Sequence, residues 1–230
     1  MTQSEIVVRN RLMDATTLVI CGAKARRDVS VREIARVADI SVSGLYQFYP
    51  SLDALVIATA KKLYEQVNYE RMMALQMAID RSRPEPAPLR DILIALIGPS
   101  VRWSLDPQRP YAVFDYINTL TGGNGAATVL QPLVDQIAAH QAVITCLRQT
   151  TPWFDDVDIG WRVNAALGVR SQVLRESRRT MLLTQNRLDL SDPDATIDLM
   201  LEVIEPMFAP LARHSLPKAA RATCHANPLS

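Results

Sequence analysis

Between Ser30 and Ser51 the sequence SVREIARVADISVSGLYQFYPS brings hydroxyls, a phenol and a primary amide together. Val42, Ser43, Gly44, Tyr46 and Gln47 share one face of the second short segment in this stretch, where a clean apolar stripe would be expected. Short side chains let the backbone come close to a partner. Gln47 can bond an adenine edge and Tyr46 can bond a phosphate oxygen. A helix exposing this set suits the major groove of duplex DNA.

Such a face needs elements that hold it still. Ser30 can cap a helix, and Glu33 three residues later completes the capping-box pattern. Ser41 can cap a second helix beginning at Val42, and Pro50 ends it. Only Asp39, Ile40 and Ser41 lie between the two, and so short a link forces the helices to cross steeply. Ile34, Ala35, Ala38, Ile40, Leu45 and Tyr49 supply an inward face, with the two alanines small enough for close approach. Upstream, residues 6–22 carry Leu12, Ala15, Thr16, Val19 and Ile20 at helical steps, with Gly22 as a stop. Downstream, residues 52–80 continue as a long helix leading out of this unit.

This arrangement resembles the N-terminal DNA-binding domain of the TetR family of bacterial transcription regulators. The resemblance rests on Ser30, Ile34 with Ala35, the link 39–41, Leu45 with Tyr46, Phe48 with Tyr49, Pro50, and Ala54 with Leu55. It implies that Arg32 reaches a guanine edge and that Tyr46 and Ser51 touch backbone phosphates. It further implies that Val42, Ser43, Gly44 and Gln47 read or approach bases, with Ser30 and Ser41 shaping the same interface. The sequence departs from the family pattern in three places. Leu52 stands where a phosphate-binding Lys is common, the link from Gly22 to Ser30 is longer, and Asp39 replaces a common Gly. Asp tolerates the left-handed conformation, so the turn is expected to survive.

The remaining chain has helical periodicity and no strict apolar alternation, which predicts an all-α protein. Helices are expected over residues 89–105, 110–121, 126–150, 155–183 and 194–213. Three prolines in Ser82–Pro88 place a domain boundary there. The expected organisation is a helix-turn-helix unit over 1–55, a connecting helix over 52–80, a helical effector-binding and dimerisation domain over 82–214, and a frayed tail over 215–230. The glycines of residues 122–125 lack the strand and the Lys of a phosphate cradle and are read as a loop.

The 230 residues carry 25 Lys and Arg against 24 Asp and Glu, so bulk charge names no partner. Residues 1–62 hold nine cations and six anions, a net +3 that is compatible with phosphate contact. Cys21, Cys146 and Cys224 form no paired spacing with His140, His214 or His225, which predicts reduced thiols, no metal, no cofactor and a cytoplasmic location. No apolar run is long enough for a membrane span.

For the second domain the resemblance implies a small-molecule effector and a homodimer. Ile159, Val163, Ala166, Val173 and Leu174 form one apolar stripe, and Ile197, Leu201, Ile204, Phe208 and Leu211 another; they are expected to make the dimer seam, with an intramolecular core as the alternative. Trp103, Tyr111, Phe114, Tyr116, Asn118 and Gln141 are candidates to line the effector pocket. The expected function is a repressor that binds an inverted-repeat operator and is released by its ligand. Two other readings stay open: an enzyme using Asp115, His140 and Cys146, and a helical protein-binding adaptor.

Overall fold

The computed structural model describes residues 2–106, 111–120 and 138–210. Among them lie ten α-helices, two short 3-10 segments and no strand. The helices are α1 (Gln3–Gly22), α2 (Val31–Val37), α3 (Val42–Phe48), α4 (Leu52–Ser82), α5 (Leu89–Leu105), α6 (Ala112–Leu120), α7 (Ala138–Thr150), α8 (Asp156–Arg175), α9 (Ser177–Leu183) and α10 (Pro193–Ile204). The glycines of residues 122–125, the tail over 215–230 and Leu211 fall outside the described residues.

Local chemistry sets the ends of the first helices. Thr2 and Glu5 form a reciprocal capping box, so α1 begins earlier than residue 6, and its buried residues are the expected Leu12, Ala15, Thr16, Val19 and Ile20. Ser30 caps α2 by accepting the Glu33 N–H at 3.2 Å. The capping box expected there is only half made, because the Glu33 carboxylate turns to the Arg36 guanidinium at 2.5 and 2.9 Å. Ser41 accepts the Gly44 N–H at 3.0 Å and Ser51 accepts the Ala54 N–H at 3.1 Å, starting α3 and α4.

The turn between α2 and α3 is closed by the backbone. Asp39 has φ 53°, its N–H donates to Arg36 O at 3.2 Å, and the Ile40 N–H donates to Ala35 O at 3.0 Å. This is the Schellman ending in which a left-handed residue satisfies the last carbonyls of a helix. Asp39 takes the place usually given to Gly, as expected from its tolerance of that conformation.

Two apolar clusters form the interior. In the first, α1, α2 and α3 pack on Leu55, Val56, Ala60 and Leu63 of α4, joined by Val113 and Ile117 of α6. In the second, Leu75 and Ala78 of α4 pack with α5, α7, α8 and α10. The change from one cluster to the other falls within α4. The proline-bearing link, expected as the boundary, joins α4 to α5, both of which belong to the second cluster.

Three expectations for the C-terminal half need correction. Residues 155–183 are not one helix: the backbone leaves helical geometry at Glu176 (φ −106°, ψ 35°), giving α8 and α9. The last helix stops at Ile204 and continues as a 3-10 turn over Glu205–Phe208, because Pro206 has no N–H to extend it. The two stripes expected at a dimer seam take the alternative given for them, an intramolecular core. Ile159, Val163, Ala166, Ile197, Leu201, Ile204 and Phe208 are buried within the chain's own second cluster, and Val173 packs against it half-buried. A side chain with no exposed surface in the single chain cannot meet a second copy.

Leu45 is the one buried residue of α3 and has no exposed surface. Leu45→Ala should cost about 2–5 kcal/mol of stability through the cavity it leaves. Gln47→Ala, on the opposite face, should change stability by less than about 0.5 kcal/mol. Urea denaturation of the two variants checks both.

Candidate functional site

The face of α3 opposite Leu45 is open. Val42 is 38% exposed, Tyr46 is 50% exposed, and Ser43 and Gln47 are also on the surface. The helix itself bears no charge. Its C-terminal end is fixed from below: Tyr49 is buried, and the Arg9 guanidinium lies 5.2 Å from its ring centre and 5.7 Å from that of Phe48. Tyr49 therefore points inward, away from any DNA face.

Ser30, Ser41 and Ser51 each accept a backbone N–H through the side-chain oxygen, which leaves the O–H as a donor. The Ser41 and Ser43 hydroxyls also lie 3.1 Å apart. Ser51 and Ser41 are exposed, and Ser30 is half-buried. Gly44 has a different reason for being small from the expected approach to bases. A Cβ there would sit 3.0 Å from both Ile40 Cγ2 and the Ser41 cap oxygen, so glycine protects the turn and the cap.

Arg32 is exposed beside this face, and no ion pair holds it among the described residues. Three other cations of the first 62 residues are engaged internally: Arg9 on its two rings, Arg36 with Glu33, and Lys62 with Asp14 of α1 at 2.7 Å. Leu52, at the position where the family pattern has Lys, is half-buried and packs on the first cluster. Its carbon side chain makes a packing contact there.

The predicted effector residues divide. Phe114 meets Tyr111 at 4.9 Å and Tyr64 of α4 at 6.2 Å between ring centres. The Arg170 guanidinium donates to the Tyr111 hydroxyl at 2.8 Å. Trp103 instead donates its indole N–H to the Glu70 carboxylate at 3.0 and 3.1 Å. Trp103, Phe114 and Tyr116 are half-buried against the first cluster, and Gln141 is exposed on α7. The Asn118 and Asp115 side chains lie outside the described residues.

Tyr64, Arg71 and Arg170 of this region are absent from the sequence candidates, and His140 figures there only in the enzyme reading, although a signal for Arg71 was available. Leu63, Val67, Arg71, Leu75 and Ala78 recur on the buried side of α4, so Arg71 occupies a position meant for carbon. His140 is pushed down to about 4, first by burial and then by the charges of Arg71 and Arg170. Burial pushes the Cys146 thiol up, the wrong direction for a nucleophile. Cys146 opens into a cleft with Ile79, Arg83, Pro84, Glu85, Pro86, Ala87 and Gln149, and no histidine lines that cleft to serve as its base. Among the described residues no group of three or more His, Cys, Asp or Glu is placed to hold a metal. No described helix is long and apolar enough to cross a membrane.

The helix-turn-helix followed by a larger helical body is the fold of solved transcriptional regulators. A candidate transcriptional regulator from Pseudomonas aeruginosa PAO1 superposes with a TM-score of 0.58 and 21% identity, over 86% of this chain and 90% of that one. The regulator FadR from Bacillus subtilis, solved with stearoyl-CoA, gives 0.62 and 14%, over 88% and 98%. The multidrug binding protein EbrR, solved with imidazole, gives 0.55 and 19%, over 90% and 98%. The fold is the one that the resemblance to the TetR family implied. No protein-family model matches the sequence, and no curated protein matches it.

His140 makes a prediction about acid. Its folded value lies below the ordinary 6.5, so as pH falls the unfolded chain takes up the proton first. The stability associated with neutral His140 is complete above pH 6.5, is lost between 6.5 and about 4, and changes no further below that. In thermal melts across this window, His140→Gln should lose less melting temperature than the parent. Equal losses would show that His140 is not held neutral by its burial and the two arginines.

Proposed function

We propose that the chain is a sequence-specific DNA-binding transcriptional regulator that acts as a homodimer on an inverted-repeat operator. The observation that carries this reading is the exposed, uncharged face of α3, with Val42, Ser43, Tyr46 and Gln47 outward and Leu45 anchored behind it. In this reading Gln47 and Arg32 read base edges, Tyr46 and the O–H of Ser51 hold phosphates, Val42 and Ser43 approach bases, and Ser41 shapes the same interface as the cap of α3. Ser30 and Gly44 act indirectly, by capping α2 and leaving room for the turn.

Each chain offers one reading helix, so two-fold symmetry calls for half-sites about 34 Å apart or a near multiple. With the buried stripes committed to the interior, the dimer seam moves to the opposite side of α8. Val157 and Trp161 are 72% and 63% exposed there, followed at helical steps by the exposed Asn164 and Gly168. Val203 of α10 is also exposed. Large apolar groups left in water on a helix face are the ordinary mark of a protein contact.

The proposed output is repression, relieved when a small molecule binds among the helices of the second cluster. FadR and EbrR were solved with small molecules bound, which supports a ligand-responsive reading of the shared fold. The mechanical route is α4, which is buried in both clusters. A shift of its second half changes the separation of the two reading helices, while duplex spacing stays fixed. A coupling of about 1–3 kcal/mol weakens operator binding roughly 5- to 150-fold.

Selection of bound sequences from random duplexes tests the core of this reading and should return an inverted repeat. On the best operator, Arg32→Ala and Gln47→Ala should each lose about 1–3 kcal/mol and relax preference at particular bases, whereas Tyr46→Phe should weaken all sequences alike. Trp161→Arg should shift sedimentation from dimer to monomer and weaken operator binding while the chain stays helical and unfolds cooperatively, its melting temperature no longer rising with protein concentration. Tight binding of one half-site by a monomer would refute the dimeric part of the model.

A further inference from the structure

A guanidinium on an apolar stripe is costly unless an opposite charge or a full set of acceptors meets it. Arg162 of α8 shows the satisfied case. It stacks 3.6 Å from the Phe154 ring centre, donates to Met207 O at 2.8 Å and Asp158 O at 3.0 Å, and has the Asp158 carboxylate at 3.6 Å.

Arg71 and Arg170 are different. Arg71 is only 3% exposed, and its acceptors are neutral: Leu96 O at 3.1 Å and the Asn68 amide oxygen. Arg170 donates one N–H to Tyr111, while its Nε is buried with no acceptor. Among the described residues neither arginine meets a carboxylate. They also act on each other. The Arg71 proton is held less firmly than usual, first because of burial, and the charge of Arg170 works in the same direction. Two buried or part-buried like charges, one with an unused donor, are a combination that an anion from outside the described protein would satisfy.

The neighbourhood is apolar and aromatic. Tyr64 and Tyr111 both pack on Phe114, the Arg170 guanidinium lies 5.5 Å from the Tyr111 ring centre, and the neutral His140 ring of α7 feels the charge of both arginines. Helices α4, α5, α6, α7 and α8 thus converge on one cationic point. We propose that Arg71 and Arg170 bind the anionic head of the effector, a small organic acid whose carboxylate or phosphate bridges the two guanidiniums and whose apolar body lies against Tyr64, Tyr111 and Phe114. This rests on the ligand-responsive reading above and gives it a chemistry. The anion draws α8 toward α4, the helix that also carries Leu55, Val56, Ala60 and Leu63 of the DNA-side cluster.

Matched probes test the charge. Benzoate, phenyl phosphate and decanoate are titrated into the full chain beside the uncharged benzamide, phenol and decanol, with heat of binding and melting temperature as readouts. At least one acid should bind, with its neutral counterpart weaker by about tenfold or more. The carboxylate and phosphate arms distinguish the two possible heads. Arg170→Gln should remove that preference while its melting curve without ligand stays cooperative, and Arg170→Lys should restore part of it. On saturation with the acid, His140 should titrate above about 4, toward its ordinary 6.5, followed by its ring resonances. A merely structural pair of arginines would leave that value unmoved. Failure of every acid to bind, equal binding of acid and neutral partner, or full acid affinity in Arg170→Gln would each overturn the proposal. Operator release is measured separately: an acid that binds through Arg170 without releasing DNA leaves the anion site standing and defeats the regulatory reading instead.

Discussion

The two apolar clusters share one rod, and the architecture depends on it. Helix α4 runs for 31 residues, about 46 Å at the rise of an α-helix. Its first half is buried against α1 and α6, and its second half against α5 and α7. An unbroken helix cannot bend at low cost where no Pro, Gly or inserted group interrupts its hydrogen bonds. A displacement at one end is therefore carried to the other. Lys62 adds a tie from this rod to Asp14 of α1, though an exposed pair of this kind contributes little stability.

At the N-terminal end, the geometry of the reading helix comes from small local devices that all satisfy backbone groups. Ser30, Ser41 and Ser51 cap three successive helices, and Asp39 closes the turn by entering the left-handed region. These fix where α3 starts and how it leaves α2. Leu45 and Tyr49 then fix its rotation, because both are buried on the same side. The exposed face is what remains once those positions are used. In the proposed DNA-binding role its lack of charge would leave affinity to its surroundings, while α3 would supply shape and hydrogen bonding.

In the helical body the same burial principle removes some functions and leaves others. The stripes of α8 and α10 close the interior, so any second copy must meet a different face, where Val157 and Trp161 remain in water. Arg71 and Arg170 interrupt otherwise apolar stripes. Arg162 shows that this fold can neutralise a buried guanidinium with Asp158 and backbone carbonyls when the role is structural.

What the sequence determined by itself is local. The caps at Ser30 and Ser41, the Asp39 turn, the five buried positions of α1 and the limits of α5 are set by residues within a few positions of one another, so spacing alone revealed them. The DNA face was legible for the same reason, since α2, α3 and their link are short and contiguous. Tertiary structure decided whatever depends on which surfaces meet. An apolar stripe has the same period whether it faces its own core or a second chain, and only packing showed that Ile197, Leu201, Ile204 and Phe208 face inward. Pro-rich composition marked a change of chain direction at the end of α4, but the division between cores follows contacts and falls inside that helix. The cationic point also needed the fold, because Arg71 and Arg170 are far apart in sequence and the meaning of each lies in the neutral groups, and the other arginine, that packing places around it.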